Sequence, residues 1–184
     1  KINDIPQTAL SAINSIKDLR KCKYITVHVN GGLDMLIAVK KRTKKINKKI
    51  KVLGVTILTS LNDKSVKEIG HTKSVKQLVL KQAGLIKKSG CDGIVCSAKE
   101  AKLIRKKYKN LIVITPGIRL PGDSANDQTR IMTPNEAFKN KVSGIVMGRS
   151  LIQGNIKYNI KRLIDHLNQW SEVVKSVEYL ISKL

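Results

Sequence analysis

Short apolar runs rich in β-branched residues recur along the chain, at Tyr24–Val29, Val52–Leu58, Gly93–Cys96, Leu111–Thr115 and Gly144–Met147. Each is bounded by glycine, serine or charge. Continuous apolar character, rather than alternation, predicts strands covered on both faces. Between the runs, apolar positions repeat at helical spacing over Leu33–Lys44, Ser74–Lys88, Lys99–Lys109 and Pro134–Asn140. A further helical pattern runs from about Thr8 to Leu19. Strands alternating with helices over connections of this length predict a parallel sheet with right-handed crossovers, hence an α/β domain.

An open doubly wound sheet and a (β/α)8 TIM-type barrel both fit that rhythm. Polar residues at strand ends decide for the barrel. Thr59 and Ser60 follow VTIL, Pro116 to Arg119 follow VIT, and Gly148 and Arg149 follow IVM. In a barrel these ends converge on one mouth, where barrel enzymes keep their chemistry. A full barrel takes about 250 residues, or roughly 31 per βα unit, so this chain is about two units short. Lys1 is accordingly read as the C-terminal end of strand 3, with strands 3 to 8 falling in residues 1–168. Five strands with that remnant cannot close a barrel of eight.

The last stretch keeps an apolar seam at Leu163, Leu167, Trp170, Val174, Val177, Ile181 and Leu184, stepping by four and three. It predicts a C-terminal amphipathic helical extension over 169–184. The favoured reading is a lengthened final barrel helix with its stripe on the core. The other is a docking helix covering the open edge or a partner.

Composition narrows the class. The 184 residues, 41% of them hydrophobic, suffice for one core. No apolar run approaches the roughly 20 residues of a membrane helix, and KINDIPQTAL lacks a signal-peptide pattern. A soluble cytoplasmic protein is expected. Cys22, Cys91 and Cys96 form neither a zinc spacing nor a disulfide framework, and Cys96 in GIVC reads as a small buried residue. The net charge of +23 and the run KKRTKKINKKIK, Lys40 to Lys51, would ordinarily suggest nucleic acid. Against that, the cations are mostly lysine, aromatics are only 3%, and lysine, isoleucine and asparagine rise together as AT-biased coding produces. The run is read as a solvated helix end and loop, and nucleic acid is not an expected partner. The surplus charge still attracts anionic metabolites.

The opening, Lys1-Ile2-Asn3-Asp4-Ile5-Pro6-Gln7-Thr8, carries the strongest chemistry. A lysine and an aspartate three apart at a strand end address one small ligand from two sides. Ile-Pro turns the chain, and Thr8 is placed to cap the next helix. Alone, Lys1 would be a solvated terminal lysine; the remainder of the chain argues otherwise. His28, ending ITVHV, is given a structural hydrogen-bonding role in the mouth rather than acid–base work. His71 and His166 read as surface residues.

The pattern KxxDIPxT resembles the signature of orotidine 5'-phosphate decarboxylases, whose full form has another aspartate two residues before the lysine. Similar segments follow in family order: VHVNGG, VTILTS, DGIVCSAKE, TPGIR, DQTRIMTP and VMGRS. The likeness runs to about Leu167. It implies decarboxylation of orotidine 5'-monophosphate to UMP, the last step of de novo pyrimidine nucleotide synthesis, without metal or organic cofactor. Lys1 would stabilise the developing carbanion and protonate it. Asp4 would reach the active site of a second subunit in a homodimer. The substrate-binding set would be Ile5, Thr8, Thr59, Arg119, Gln128, Gly148 and Arg149.

The residues support this independently. Barrels often bind phosphate in the loops after strands 7 and 8. Arg119 and Gln128 fall in one such loop and Gly148 and Arg149 in the other, with arginine forks and a glycine that admits close backbone approach. Thr59 is placed either to bond the pyrimidine edge or simply to end its strand. RLPGDSAND has the Gly, Pro and Asp content of a mobile lid. A sugar-phosphate decarboxylase or aldolase of the same barrel, a basic nucleic-acid-binding module and a non-catalytic remnant stay open as alternatives. The resemblance further implies an aspartate from the first strand, a lysine from the second and an aspartate before Lys1, none of which is in residues 1–184. The chain is therefore expected to be N-terminally truncated, a gene fragment or one piece of a split enzyme, and inactive alone. Conversion of orotidine 5'-monophosphate to UMP by the purified chain would overturn that.

Overall fold

The computed structural model describes residues 1–16, 18, 21–126 and 128–168. Five strands, β1 (Tyr24–His28), β2 (Lys51–Val55), β3 (Gly93–Val95), β4 (Ile112–Thr115) and β5 (Gly144–Ile145), form one sheet in chain order, every pair parallel. Ile2 extends it. Its N–H donates to Thr26 O at 3.0 Å and its carbonyl accepts from His28 N at 2.7 Å, a parallel bridge beyond β1. The opening residues therefore lie beside β1 as a strand end would, with Lys1 at the mouth.

Helices α1 (Pro6–Ser15), α2 (Gly32–Ile46), α4 (Val75–Ser89), α5 (Ala98–Lys107), α6 (Pro134–Lys139) and α8 (Ile156–Asn168) pack each against the next around one side of the sheet. Sequential parallel strands with their helices on one side make a partial (β/α) barrel. Row by row, Val27, Gly54, Ile94 and Val113 face the helices. Of these, Val27, Ile94 and Val113 belong to the main core, together with Met35, Leu36, Val39 and Ile86. The alternate rows hold Thr26, Leu53 and Ile112, then His28, Val55, Val95 and Ile114. They form the concave face, where Leu53 and Val55 are buried yet stand apart from the helix-side core.

Helix boundaries follow local chemistry. Ser74 and Gln77 close a capping box at the head of α4, and Thr133 and Glu136 do so for α6, where Pro134 takes the first turn. Thr8 does not cap α1. Pro6, whose fixed φ suits the first helical position, starts the helix two residues earlier, and Ile5 occupies the cap position without a side-chain bond. The helix ends at Ser15, with Ile16 N–H turned back to Ile13 O at 3.3 Å, and Leu19, its expected end, lies outside the described residues.

Two short helices were not expected: α3 (Asp63–Glu68), capped by Asn62, and α7 (Arg149–Ile152). The first, DKSVKE, has a single apolar residue, Val66, and the second is barely one turn, so neither displays a helical period. The run Val52–Leu58 stays in the ladder only to Val55, because Ile57 and Leu58 peel away to line the mouth.

Other expectations need adjustment. Within the basic run, Lys40 is not freely solvated but lies 2.5 Å from Asp92 Oδ2, and Lys51 is 3.8 Å from Oδ1. His71 and His166 are half-buried rather than on the surface, and burial lowers the His166 pKa against the pull of Glu136. Cys96 is buried, and burial pushes its thiol far up. Leu163 and Leu167 of the C-terminal seam pack with Leu120 in a second small cluster. Trp170, Val174, Val177, Ile181 and Leu184 lie outside the described residues. Among the described residues no helix is long and apolar enough to cross a membrane.

Candidate active site

At the C-terminal ends of β2 to β5 the concave face opens into a cavity of about 320 Å³. Six of the nine residues singled out from the sequence line it: Lys1, Thr59, Arg119, Gln128, Gly148 and Arg149. They arrive from four separate segments, which the parallel sheet alone brings together. Alternation places Lys1 here, since Ile2 next to it packs against the helix-side core and its neighbour points the opposite way.

Thr59 and Gln128 are joined directly, the threonine hydroxyl donating to Gln128 Oε1. The Thr59 carbonyl also accepts from Thr129, through its N–H at 3.3 Å and its hydroxyl at 3.2 Å. The loop after β2 is thus stitched to the loop after β4. Gly117 makes the junction possible: its φ of +76° favours glycine, and a Cβ there would sit 3.1 Å from Arg130 O.

Arg119 is buried, with Nη1 donating to Ile118 O at 2.9 Å and Nε to Ser124 O at 3.1 Å. Arg162 on α8 secures the same loop, reaching Asp123 Oδ1 at 2.9 Å and Pro121 O at 3.1 Å. The stretch expected to act as a lid is therefore tied to the last described helix. Gly148 precedes α7, and a Cβ at Gly148 would meet no protein atom within 4 Å. The space beside its backbone is open for a ligand. Arg149, half-buried, follows it on the wall.

Three cations, Lys1, Arg119 and Arg149, border the cavity, and no acidic residue is among the described residues lining it. Such a mouth concentrates anions. Its floor of Val55, Ile57, Val95 and Cys96 is apolar, so the charges act in a partly dewatered space.

Asp4, Ile5 and Thr8 do not line this cavity. All three are exposed, and Asp4 Oδ1 accepts its neighbour's N–H, that of Ile5, at 2.8 Å. His28 ends β1 half-buried, and no hydrogen bond from its ring to a described residue accompanies it. Burial first, and the Lys1 ammonium second, hold its pKa below the ordinary imidazole value. The expected hydrogen bond of the ring is not made to any described residue.

Sequence reasoning missed one group beside the site. Arg130 and Glu100 form a buried ion pair at 2.7 Å behind the cavity wall. The only signal was the arginine within DQTRIMTP, and no local pattern ties it to a glutamate thirty positions upstream.

The architecture has close counterparts. The crystal structure of orotidine 5'-phosphate decarboxylase from Lactobacillus acidophilus superposes with a TM-score of 0.72 at 28% identity, covering 89% of this chain and 72% of that one. Orotidine 5'-phosphate decarboxylase of Coxiella burnetii is 38% identical over 168 residues, 90% of this chain and 71% of that protein. The protein of the same name from Buchnera aphidicola of Acyrthosiphon pisum is 42% identical over 167 residues, 89% of this chain and 68% of its relative. The sequence profile of the orotidine 5'-phosphate decarboxylase / HUMPS family matches residues 1–157. With its strand-end motifs gathered on one cavity and relatives of that name along most of its length, the chain belongs to the orotidine 5'-phosphate decarboxylase / HUMPS family, as one of its carboxy-lyases.

Proposed function

We propose that the cavity takes orotidine 5'-monophosphate and that Lys1 is the proton donor in its conversion to UMP. The observation that carries this reading is the convergence of Lys1, Thr59, Arg119, Gln128, Gly148 and Arg149 on one cationic cavity at the strand ends. The phosphate end lies with Arg119, Gln128, Arg149 and the open backbone at Gly148. The ring end lies towards Thr59 and Lys1.

In the chemical step the bond from C6 of the pyrimidine to its carboxylate breaks and CO2 departs. The electron pair stays on C6. The Lys1 ammonium stabilises that charge and then transfers its proton to C6, leaving a neutral amine that solvent reprotonates. No metal or organic cofactor enters this scheme. Remote phosphate contacts supply binding energy that orders the loops around the reacting end.

Asp4 and Ile5 have a different place. They stand exposed beside the mouth, Ile5 with 66% of its surface accessible. An apolar side chain in that position and an aspartate turned from its own cavity suit a homodimer in which Asp4 enters the neighbouring subunit's site. Thr8, within the first turn of α1, is exposed as well.

Calorimetric titration of the purified chain with UMP, uridine and orthophosphate tests the binding half of this proposal. Each charge-assisted hydrogen bond to phosphate contributes about 1.5–3 kcal/mol. UMP is expected to bind at least about tenfold more tightly than uridine. Equal affinity for UMP and uridine would remove the phosphate from the cavity. Tighter, steeply salt-dependent binding of RNA would replace the reading with a nucleic-acid one.

A further inference from the structure

Arg130 and Glu100 lie just behind the cavity wall, 8% and 6% exposed. The arginine fork reaches three oxygens at once: Nη1 to Glu100 Oε1 at 2.7 Å, and Nη2 to Ile57 O and Leu58 O, each at 2.9 Å. Its own carbonyl accepts from Ser97 Oγ at 3.4 Å. Ile57 and Leu58 immediately precede Thr59, Gln128 stands two residues before Arg130, and Glu100 sits in the first turn of α5. One guanidinium therefore fastens the loop after β2, the loop after β4 and the head of α5 to each other.

Stability does not account for such a pair. Two charges removed from water lose hydration that their attraction only partly restores, and apolar replacements of similar volume are often as stable or more so. Arg130 Nε and Glu100 Oε2 have no hydrogen-bond partner among the described residues, which raises the cost further. Burial pushes the Glu100 carboxyl up although Arg130 pulls it down. What the fork supplies is fixed geometry. A planar group with three fixed contacts sets the spacing of the loops it joins, which an apolar contact does not.

We infer that Arg130, held by Glu100, is a positioning residue that sets Thr59 and Gln128 at their working separation across the cavity. This rests on the reading of the cavity as a nucleotide site. Through it the ring end and the phosphate end of the bound molecule are kept in register.

The test uses three variants of the full chain: Arg130→Met, Arg130→Lys and the double variant Arg130→Met with Glu100→Leu. Arg130→Met alone is expected to melt lowest, because it leaves Glu100 buried without its partner. The double variant should regain most or all of the lost melting temperature yet bind UMP at least about tenfold more weakly than the parent. Arg130→Lys keeps the charge without the fork and should not restore binding. A double variant with both parental melting temperature and parental UMP affinity would overturn the inference.

Amide exchange at Thr129, whose N–H bonds Thr59 O, reads the same clamp without ligand. Its protection should fall in the double variant, and undiminished protection would overturn the clamp. If the parent chain itself does not prefer UMP over uridine, the nucleotide reading falls, and this exchange still decides whether Arg130 positions the two loops.

Discussion

Replacing Lys1 with alanine is expected to lower kcat for decarboxylation by at least about a thousandfold, in a polypeptide that carries this chain and turns substrate over. A positioned general acid contributes about 10²–10⁴-fold, and a fixed charge facing a developing anion adds a comparable factor. A thousandfold is about 4 kcal/mol of transition-state stabilisation. UMP lacks the departing carboxylate and holds the phosphate contacts, so its affinity should change by no more than a few fold. A large loss of UMP affinity with kcat retained would make Lys1 a binding residue only.

The same substitution has a readout independent of turnover. The Lys1 ammonium, after burial, is the next cause that keeps His28 below the ordinary imidazole pKa. Removing it should shift the His28 titration upward, visible in the ring-proton resonance of the purified chain. The sign for stability follows from the direction. A histidine whose folded pKa is lowered binds its proton more readily in the unfolded chain. It therefore weakens the fold progressively as pH falls from the ordinary imidazole value through the lowered one, and has no effect above. The alanine variant should lose less stability over that window. An unmoved His28 would place the ammonium away from the strand end.

Arg149→Ala is expected to weaken UMP binding by about a hundredfold while leaving uridine untouched. A guanidinium fork on a phosphate makes two charge-assisted hydrogen bonds. Together these are worth about 3 kcal/mol, or two decades in Kd. Arg149→Lys should recover only part, because an ammonium meets the phosphate as a point charge. The open backbone at Gly148 and the position of Arg149 on the cavity wall motivate the assignment. UMP affinity unchanged in Arg149→Ala would move the phosphate to another part of the mouth.

The sheet was legible because a buried parallel strand announces itself twice, in β-branched continuity and in the turn residues that bound it. All five runs became strands, and their polar ends met in one cavity. Less visible was where each run stops pairing. Leu58 is as apolar as Leu53, but one lines a mouth and the other a sheet, a distinction that only the closing of neighbouring strands creates. Thr8 was misassigned because a threonine ahead of an apolar period imitates a cap, and Pro6 outweighed it by its fixed φ. Thr59 and Gln128 were each expected at the site and both line its cavity, while their mutual hydrogen bond was not foreseen, since it spans 69 positions. The same applies to Arg130 with Glu100, where separation removes any local signature.

That mutual bond alters how the cavity ranks its visitors. A site whose polar groups stand idle penalises any molecule that fails to answer them, because they are then left without partners away from water. Thr59 and Gln128 already answer each other. In the proposed nucleotide site, a ring that takes the Thr59 hydroxyl as donor must displace Gln128 Oε1 and gains only the difference. In that reading the arginines carry affinity for the phosphate whatever it is attached to, and the base is chosen by the room left for it between the two joined loops.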